Sequence, residues 1–162
     1  MKKTSYVTKA GIIAAIYFVL TWVSSVFGLS SGVIQCRLSE ALCILPVFTS
    51  AAIPGVTVGC VISNLLFSGN IFDITLGSLA TLIGAVGAYF LRKGKLRYLA
   101  SFPTVITNAV TVPFILHLMG ISELYLYIAL TVAIGEIISC TVIGGLLQKY
   151  IDKSSLKKIL IK

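Results

Sequence analysis

Three basic clusters, separated by long apolar stretches, constrain how this chain can fold. The Lys and Arg residues concentrate near the N-terminus (Lys2, Lys3, Lys9), in the middle of the chain (Arg92, Lys93, Lys95, Arg97) and at the C-terminus (Lys149, Lys153, Lys157, Lys158, Lys162). Loops rich in Lys and Arg stay on the cytoplasmic side of a membrane. The clusters therefore fix how the chain threads a bilayer, and they leave Arg37 as an isolated charge that needs its own explanation.

Composition places the chain among integral membrane proteins. Of its 162 residues, 57% are hydrophobic and 11% are charged, which leaves too few polar side chains to cover a soluble globule. The net charge of +8 could suggest a nucleic-acid partner. Because the excess lies at the expected membrane edges, and basic and aromatic residues do not alternate in the stretches between them, membrane topology explains it better.

A spanning helix needs about 20 mainly apolar residues, and the turn-forming residues divide the sequence into six such segments. They cover residues 7–27, 32–48, 52–69, 72–91, 99–118 and 124–148. We therefore predict an all-α membrane protein, a single domain over residues 1–162, in which six transmembrane helices form a compact bundle and both termini are cytoplasmic. This count places all three basic clusters on one side of the membrane.

Two parts of this threading, which involve the first three segments, have alternative interpretations. The first could be a cleavable signal peptide, but its apolar run is long and lacks a clear small-x-small cleavage site, so we expect a retained helix. The second and third segments are joined by a short uncharged turn between Pro46 and Pro54, and this part of the chain could instead be re-entrant.

Charged side chains inside the apolar segments are the strongest functional signal. Arg37, Glu40 and Glu136 each lie where a charge costs about 2.5–3.5 kcal/mol on insertion scales. Arg37 and Glu40 are three residues apart and could form an ion pair on one helix face. Glu136 has no basic residue within one helical turn, so it must pair across the bundle, be protonated or bind a cation.

The predicted threading makes polar side chains from several helices converge between the middle of the membrane and its outer side. Arg37 and Glu40 lie in the outer half of the second span, Asn64 and Asp73 lie at one level, Asn108 and Glu136 lie nearer the middle, and Trp22 and His117 lie toward the outer ends. Such convergence is typical of a binding pocket open to the outside rather than of a channel. Since the carboxylates outnumber the single guanidinium, we expect a ligand with a cationic group or with a donor edge that pairs with a carboxylate.

Neither catalysis nor a resident cofactor is expected. The sequence has no GxxxxGK[ST] phosphate-binding loop, no HExxH and no GxSxG, and its single His has no partner in spacing. The four cysteines (Cys36, Cys43, Cys60, Cys140) form no CxxC pair, so we interpret them as buried thiols rather than metal ligands. We therefore predict a protein that is not an enzyme and that binds no metal or cofactor.

Four stretches of the sequence resemble a known family. They are residues 33–46 (VIQCRLSEALCILP), 52–55 (AIPG), 59–64 (GCVISN) and 73–82 (DITLGSLATL). Together they are similar to the QueT family of substrate-binding S components of energy-coupling factor (ECF) transporters. The likeness covers nearly the whole chain, and S components also have six helices, a cytoplasmic N-terminus and an outward pocket.

The resemblance implies a ligand and a set of partners. The ligand would be a queuosine precursor, a 7-deazaguanine such as 7-aminomethyl-7-deazaguanine (preQ1) or queuine. The partners would be a transmembrane T component and two cytoplasmic ATPases. S components commonly meet the T component through an AxxxA-like motif on the first helix, and Ala10 and Ala14 match that spacing.

Residue roles follow from this expectation together with the charge pattern. Glu40 or Glu136 would accept the N–H donors of the ring's pairing edge, and the other carboxylate, or Asp73, would bind the amine. We expect Asn64 and Asn108 at the ring carbonyl and nitrogens, Trp22 stacked on the ring, and Arg37 orienting Glu40 or meeting the ligand carbonyl. The alternatives are an S component for another vitamin-like heterocycle, and a gradient-driven carrier or small-molecule channel.

Overall fold

The computed structural model describes residues 2–29 and 36–161, and within these ranges the chain is helical with no β-strand. The regular helices are α1 (Lys2–Val26), α2 (Ala52–Ser63), α3 (Ser78–Phe90), α4 (Phe102–Leu118), α5 (Tyr125–Glu136), α6 (Gly144–Lys153) and α7 (Leu156–Ile161). Two 3-10 helices cover Leu38–Val47 and Gly94–Leu99, and π-helical turns cover Asn64–Ser68, Asp73–Gly77 and Ile137–Ile143. The turn Ile137–Ile143 joins α5 and α6 into one continuous helix.

Helices are expected here because a chain in lipid must satisfy its backbone hydrogen bonds within each segment. In the described residues, four helices are long and apolar enough to cross a membrane: Thr4–Val26, Asp73–Phe90, Gly94–Leu118 and Tyr125–Lys153. Ala52–Ser68 is apolar but shorter. The all-α class and the multi-pass membrane character are therefore confirmed, while the count of six spans and the cytoplasmic position of both termini remain predictions.

The second predicted span differs most from the structure. Part of it lies outside the described residues, and the remainder is the 3-10 helix Leu38–Val47, ten residues long and buried from Ser39 onward. At about 2 Å per residue this helix reaches roughly 20 Å, less than the ~30 Å hydrocarbon core. It packs against α1, α2, α3, α6 and the turn Ile137–Ile143. Because protein surrounds it on these sides, its backbone need not adopt the α-helix that lipid exposure would demand.

The remaining helices pack in chain order around this central element. α1 packs on α2, α2 on α3, α3 on α4 and α4 on α5. Large apolar side chains such as Val19, Phe90, Ile106 and Leu130 are exposed on the outer faces. Outer faces of this kind suit the hydrocarbon core of a bilayer, since lipid tails are as apolar as leucine.

Glycines allow α1 and α2 to approach closely. A Cβ added to Gly55 would lie 2.9 Å from the Ala10 carbonyl oxygen, and one added to Gly59 would lie 2.7 Å from Tyr17 Cβ and 3.0 Å from the Ala14 carbonyl oxygen. Small residues at such spacing let helix backbones meet in lipid. The face of α1 that carries Ala10 and Ala14 is therefore the face that seats α2, and Ala14 is only 8% exposed.

The bundle has two chemically different ends. The N-terminal part of α1, the segment from Arg92 to Arg97 that follows α3, and the helices α6 and α7 carry the basic clusters. At this end Asp152 forms ion pairs with Arg97 (2.9 Å) and Lys157 (3.0 Å). The C-terminal half of α1, the turns Asn64–Ser68 and Asp73–Gly77, and the loop between α4 and α5 lie at the other end.

Candidate functional site

A cavity of about 360 Å³ lies among α1, α2, α3, α4, α5 and the central 3-10 helix. Its polar lining residues are Thr21, Ser25, Arg37, Glu40, Ser63, Asn64, Ser68, Asp73, Thr81, Asn108 and Glu136. Its apolar wall consists of Phe67, Val112, Ile115, Leu116 and Val132, with Gly77. The cavity therefore draws side chains from residues that are far apart in the sequence.

Six of the seven residues that the sequence analysis selected for ligand binding line this cavity: Arg37, Glu40, Asn64, Asp73, Asn108 and Glu136. The seventh, Trp22, is not among the lining residues and is 53% exposed on the outer face of α1. The structure thus brings the charged and amide side chains together but places the expected stacking residue elsewhere. The reason is the rotation of α1, which turns Tyr17, Thr21 and Ser24 inward.

Glu40 is held by donors from two elements. The Tyr17 hydroxyl of α1 donates to Glu40 Oε1, and the Cys43 thiol donates to Oε2 at 3.1 Å. Glu40 is 2% exposed and Tyr17 is 1% exposed, so the carboxylate is fixed inside the protein rather than in lipid or water. Each carboxylate oxygen has a second lone pair, and the cavity is the direction in which a ligand donor can approach.

Glu136 is held in a similar way from the opposite wall. Asn108 of α4 donates from Nδ2 to Glu136 Oε1 at 2.8 Å, and Cys140 can donate to Oε2 at 3.3 Å or to the Glu40 carbonyl oxygen at 3.2 Å. Neutral donors on the protein thus meet a carboxylate that has no basic residue within one turn of its own helix. Buried and hydrogen-bonded to neutral groups, Glu136 is suited to a donor or a cation on a ligand.

The two glutamates converge within this cavity. Ligand atoms of Glu40, Glu136 and Cys140 all lie within 4.8 Å of one another, the one such group of three potential metal ligands in the described residues. A metal would need the thiol proton removed, whereas the thiol here has oxygen acceptors within hydrogen-bonding distance. The geometry fits hydrogen-bond recognition of a ligand that bridges two carboxylates.

The alternative that Arg37 and Glu40 form an ion pair on one helix face does not hold in this structure. Arg37 precedes the 3-10 helix in an extended conformation (φ −97°, ψ 111°), so the helical spacing that would align the two side chains does not apply. Arg37 Nη1 instead donates to Asn64 Oδ1 at 3.2 Å. The ion pairs found among the described residues use Asp152.

Asn64 connects the two helices that meet at the mouth of the cavity. Its Nδ2 donates to the Asp73 backbone oxygen at 2.8 Å while its Oδ1 accepts from Arg37. The Ser68 hydroxyl donates to Asp73 Oδ2. Both turns that carry these residues are π-helical, a geometry that is frequently found at functional sites.

The sequence analysis missed several lining residues, of which Phe67 and Ser63 matter most. Phe67 is the aromatic side chain in the cavity wall, and its ring stacks on Phe18 with a centroid distance of 5.5 Å. Ser63 is fully buried, and its Oγ has no hydrogen-bond partner in the described part of the chain. In the sequence, Ser63 directly precedes Asn64 and Phe67 follows it by three residues. This proximity to a predicted binding residue was the signal that could have identified them.

The cavity therefore offers a fixed set of acceptors with few cations. The guanidinium of Arg37 faces the carboxyl groups of Glu40, Asp73 and Glu136. The two glutamates are buried, and Arg37 and Asp73 are half-buried. Because their orientation is set by hydrogen bonds to neighbouring helices, a ligand would bind without first ordering them, which lowers the cost of binding.

Comparison with known proteins gives two results. The chain is 40% identical over 81 residues to the "Queuosine precursor transporter QueT" of Lactococcus lactis subsp. cremoris (strain MG1363), a stretch that covers 50% of this chain and 47% of that protein. The chain thus matches about half the length of this curated relative. No solved structure matches the chain.

The family comparison covers far more of the chain. The family described as QueT transporter matches residues 7–153, which include every described residue of the cavity. The family and the relative are transporters rather than enzymes, in agreement with the absence of catalytic motifs. This chain therefore belongs to the QueT transporter family.

Proposed function

We propose that this protein is the substrate-binding S component of an ECF-type importer and that it captures a queuosine precursor, a 7-deazaguanine, from outside the cell. The observation that carries the proposal is the convergence of two buried glutamates on one cavity, with Arg37 and two asparagines beside them. The name of the relative, a queuosine precursor transporter, supports the same ligand class.

The chemistry of a 7-deazaguanine complements this arrangement. Its pairing edge presents two N–H donors that one carboxylate accepts in parallel, and an aminomethyl nitrogen is a cation at neutral pH. One of Glu40 and Glu136 accepts the donor edge in our proposal, and the other, or Asp73, binds the amine. Hydrogen bonds of this charge-assisted kind are about twice as strong as neutral ones.

The size and walls of the cavity also suit a small planar ligand. Its volume of about 360 Å³ lies in the range of roughly 300–1,000 Å³ that is usual for small-molecule sites. Phe67, in place of Trp22, is the aromatic wall on which we propose that the ring stacks. Arg37 and Asn64 hydrogen-bond to each other at 3.2 Å and would together meet the ligand carbonyl. Ser63 Oγ, buried without a partner among the described residues, would find one on the ligand.

The partners that we propose are an ECF T component and two cytoplasmic ATPases. The sequence has no phosphate-binding loop of the GxxxxGK[ST] type, so energy from ATP would have to come from another subunit. The T component would meet α1 at the region of Ala10 and Ala14. Since Ala10 and Ala14 face α2, the exposed small residues beside them, Gly11 and Ala15, are the ones that a partner could reach.

Calorimetric titration of the purified protein tests the ligand. We would titrate 7-aminomethyl-7-deazaguanine, queuine, guanine and unrelated vitamins into wild type, Glu40→Gln, Glu136→Gln and the control Glu123→Gln, whose exposed carboxylate lies outside the cavity. Losing one hydrogen bond to a charged group costs about 1.5–3 kcal/mol, so the two cavity variants should bind at least tenfold more weakly. Wild-type affinity in both variants would refute the proposed site, and binding of a different vitamin alone would replace the ligand.

Co-purification tests the mechanism of transport separately. An affinity-tagged chain, expressed with the candidate T component and ATPases of its own cell, should retain them and should require ATP for uptake in proteoliposomes. Uptake by the chain alone, driven by an ion gradient, would instead establish a gradient-driven carrier and would leave the ligand assignment unaffected.

A further inference from the structure

A second cavity, of about 260 Å³, lies at the basic end of the bundle, away from the candidate substrate site. Its polar residues come from the N-terminal part of α1, the end of α3 and the turn after the central 3-10 helix: Ser5, Lys9, Thr49, Ser50 and Arg92. Leu160 of α7 closes one side. These segments are remote in sequence, so the tertiary structure alone creates the cavity.

The charge of this cavity is unbalanced within the protein. Lys9 and Arg92 both line it, and none of the five Asp and Glu residues, all of which lie in the described part of the chain, does so. Glu40, Asp73 and Glu136 line the other cavity. Asp152 is paired with Arg97 and Lys157, and Glu123 lies in the loop between α4 and α5 at the opposite end. No acidic side chain in the described part of the chain therefore balances this pair of cations, which leaves the cavity suited to an anionic ligand.

The two cations are also held in fixed positions. Lys9 Nζ donates to the Leu160 carbonyl oxygen at 3.2 Å, which uses one of its three N–H donors and leaves two for a ligand. The Arg92 guanidinium lies 3.7 Å from the centroid of the Tyr89 ring, a cation–π contact that sets its orientation. The serine and threonine hydroxyls in the lining add donors of the kind that phosphate oxygens accept.

We propose that this cavity binds a phosphate group, and that the phosphate belongs to an anionic lipid. The cavity lies at the end of the bundle where the basic clusters mark the expected membrane edge, and the apolar side chains of Val7, Phe90 and Ile161 are exposed on the segments around it. Basic pockets between helices at this side of a membrane bind anionic headgroups. A free phosphate has the same chemistry but would gain nothing from the apolar surroundings.

Lipid retention in nanodiscs tests the proposal. The full chain would be placed in phosphatidylcholine nanodiscs with or without phosphatidylglycerol, and bound lipid would be quantified by native mass spectrometry. A hydrogen bond to a charged group contributes about 1.5–3 kcal/mol, or at least about tenfold in affinity. Lys9→Gln and Arg92→Gln should each weaken phosphatidylglycerol retention at least about tenfold, and the double variant should weaken it further. Lys93→Gln and Lys95→Gln remove equal charges outside the cavity and should weaken retention by no more than the roughly fivefold expected of diffuse surface charge.

The remaining outcomes separate the possible sources of phosphate. Titrating inorganic phosphate into phosphatidylcholine nanodiscs tests whether the cavity binds a free ion. If phosphate binding depends on Lys9 and Arg92 and no lipid is selectively retained, the site stands but its ligand is a soluble anion rather than a lipid. Equal losses in the cavity and control variants would overturn the proposal, because they would reveal only diffuse surface charge. Lys9→Arg, which keeps the charge, should retain the lipid and would separate binding from misfolding.

Discussion

The Tyr17 hydroxyl provides a direct test of how the substrate cavity is organised. Tyr17 lies on α1 and is 1% exposed, and its hydroxyl donates to Oε1 of Glu40, which lines the cavity. Tyr17→Phe removes this donor and leaves the ring in place, so packing against α2 should change little. The change therefore isolates one contact between a residue outside the cavity lining and a carboxylate inside it.

Two effects of different size are expected. Removing a hydrogen bond to a buried charged group should lower the free energy of unfolding by about 1.5–3 kcal/mol. Ligand binding should weaken less, because Glu40 retains the Cys43 thiol at 3.1 Å. If the freed side chain must be ordered again when ligand binds, the cost is about 0.5–1.5 kcal/mol, or roughly two- to tenfold in Kd.

The assay is calorimetry with 7-aminomethyl-7-deazaguanine, combined with thermal unfolding, on a double-mutant cycle of Tyr17→Phe and Glu40→Gln. Residues that act through one another give non-additive effects, so adding Tyr17→Phe to Glu40→Gln should cost little further affinity. Tyr125→Phe is the matched control, since it removes a hydroxyl that donates to the Val110 carbonyl oxygen at 2.6 Å, away from the cavity. Wild-type affinity in Tyr17→Phe, or strictly additive losses, would refute the reasoning.

Three further predictions concern packing, stacking and surface charge. Gly59→Ala places a methyl group 2.7 Å from Tyr17 Cβ on α1 and should destabilise the protein by about 1–3 kcal/mol. Gly11→Ala is the control, because its added methyl group has nothing within 4 Å and should not destabilise the protein. Thermal unfolding of both variants measures the difference. Phe67→Ala should weaken ligand binding in calorimetry while Trp22→Ala leaves it unchanged, and the reverse order would restore the original stacking assignment. Asp152→Asn removes two partly exposed ion pairs and should cost at most about 1 kcal/mol per pair, with an effect that shrinks as salt increases in the same unfolding assay.

The sequence was sufficient to select the charged residues of the cavity, because an ionisable group in an apolar segment is costly and therefore informative wherever it occurs. Glu136 illustrates this: it has no basic neighbour on its helix, and the structure supplies Asn108 and Cys140 as its hydrogen-bond partners. That these partners would be neutral donors could not be read from the sequence, since any polar residue on another helix was a candidate.

The errors concern local backbone geometry and helix rotation. The possible pairing of Arg37 with Glu40 on one helix face assumed a continuous α-helix, but the chain is extended at Arg37 and forms a 3-10 helix after it. Trp22 was selected by its depth along α1, which the sequence does fix, but the side chain points away from the cavity. Phe67 was overlooked because an aromatic residue within an apolar run is usually a lipid or core contact.

The sequence by itself determined that this is an all-α membrane protein, which residues are too polar for its apolar segments, and that its basic residues gather at one end. These properties follow from transfer free energies, which depend on residue type and on position along a helix. Only the tertiary structure decided which face of each helix meets the cavity, that Asn64 receives Arg37, and that Lys9 and Arg92 share a second cavity. Lipid and protein core are equally apolar, so a helix that is apolar all round carries little record of its rotation. That rotation is set by close packing, such as the contact of Gly55 and Gly59 with α1.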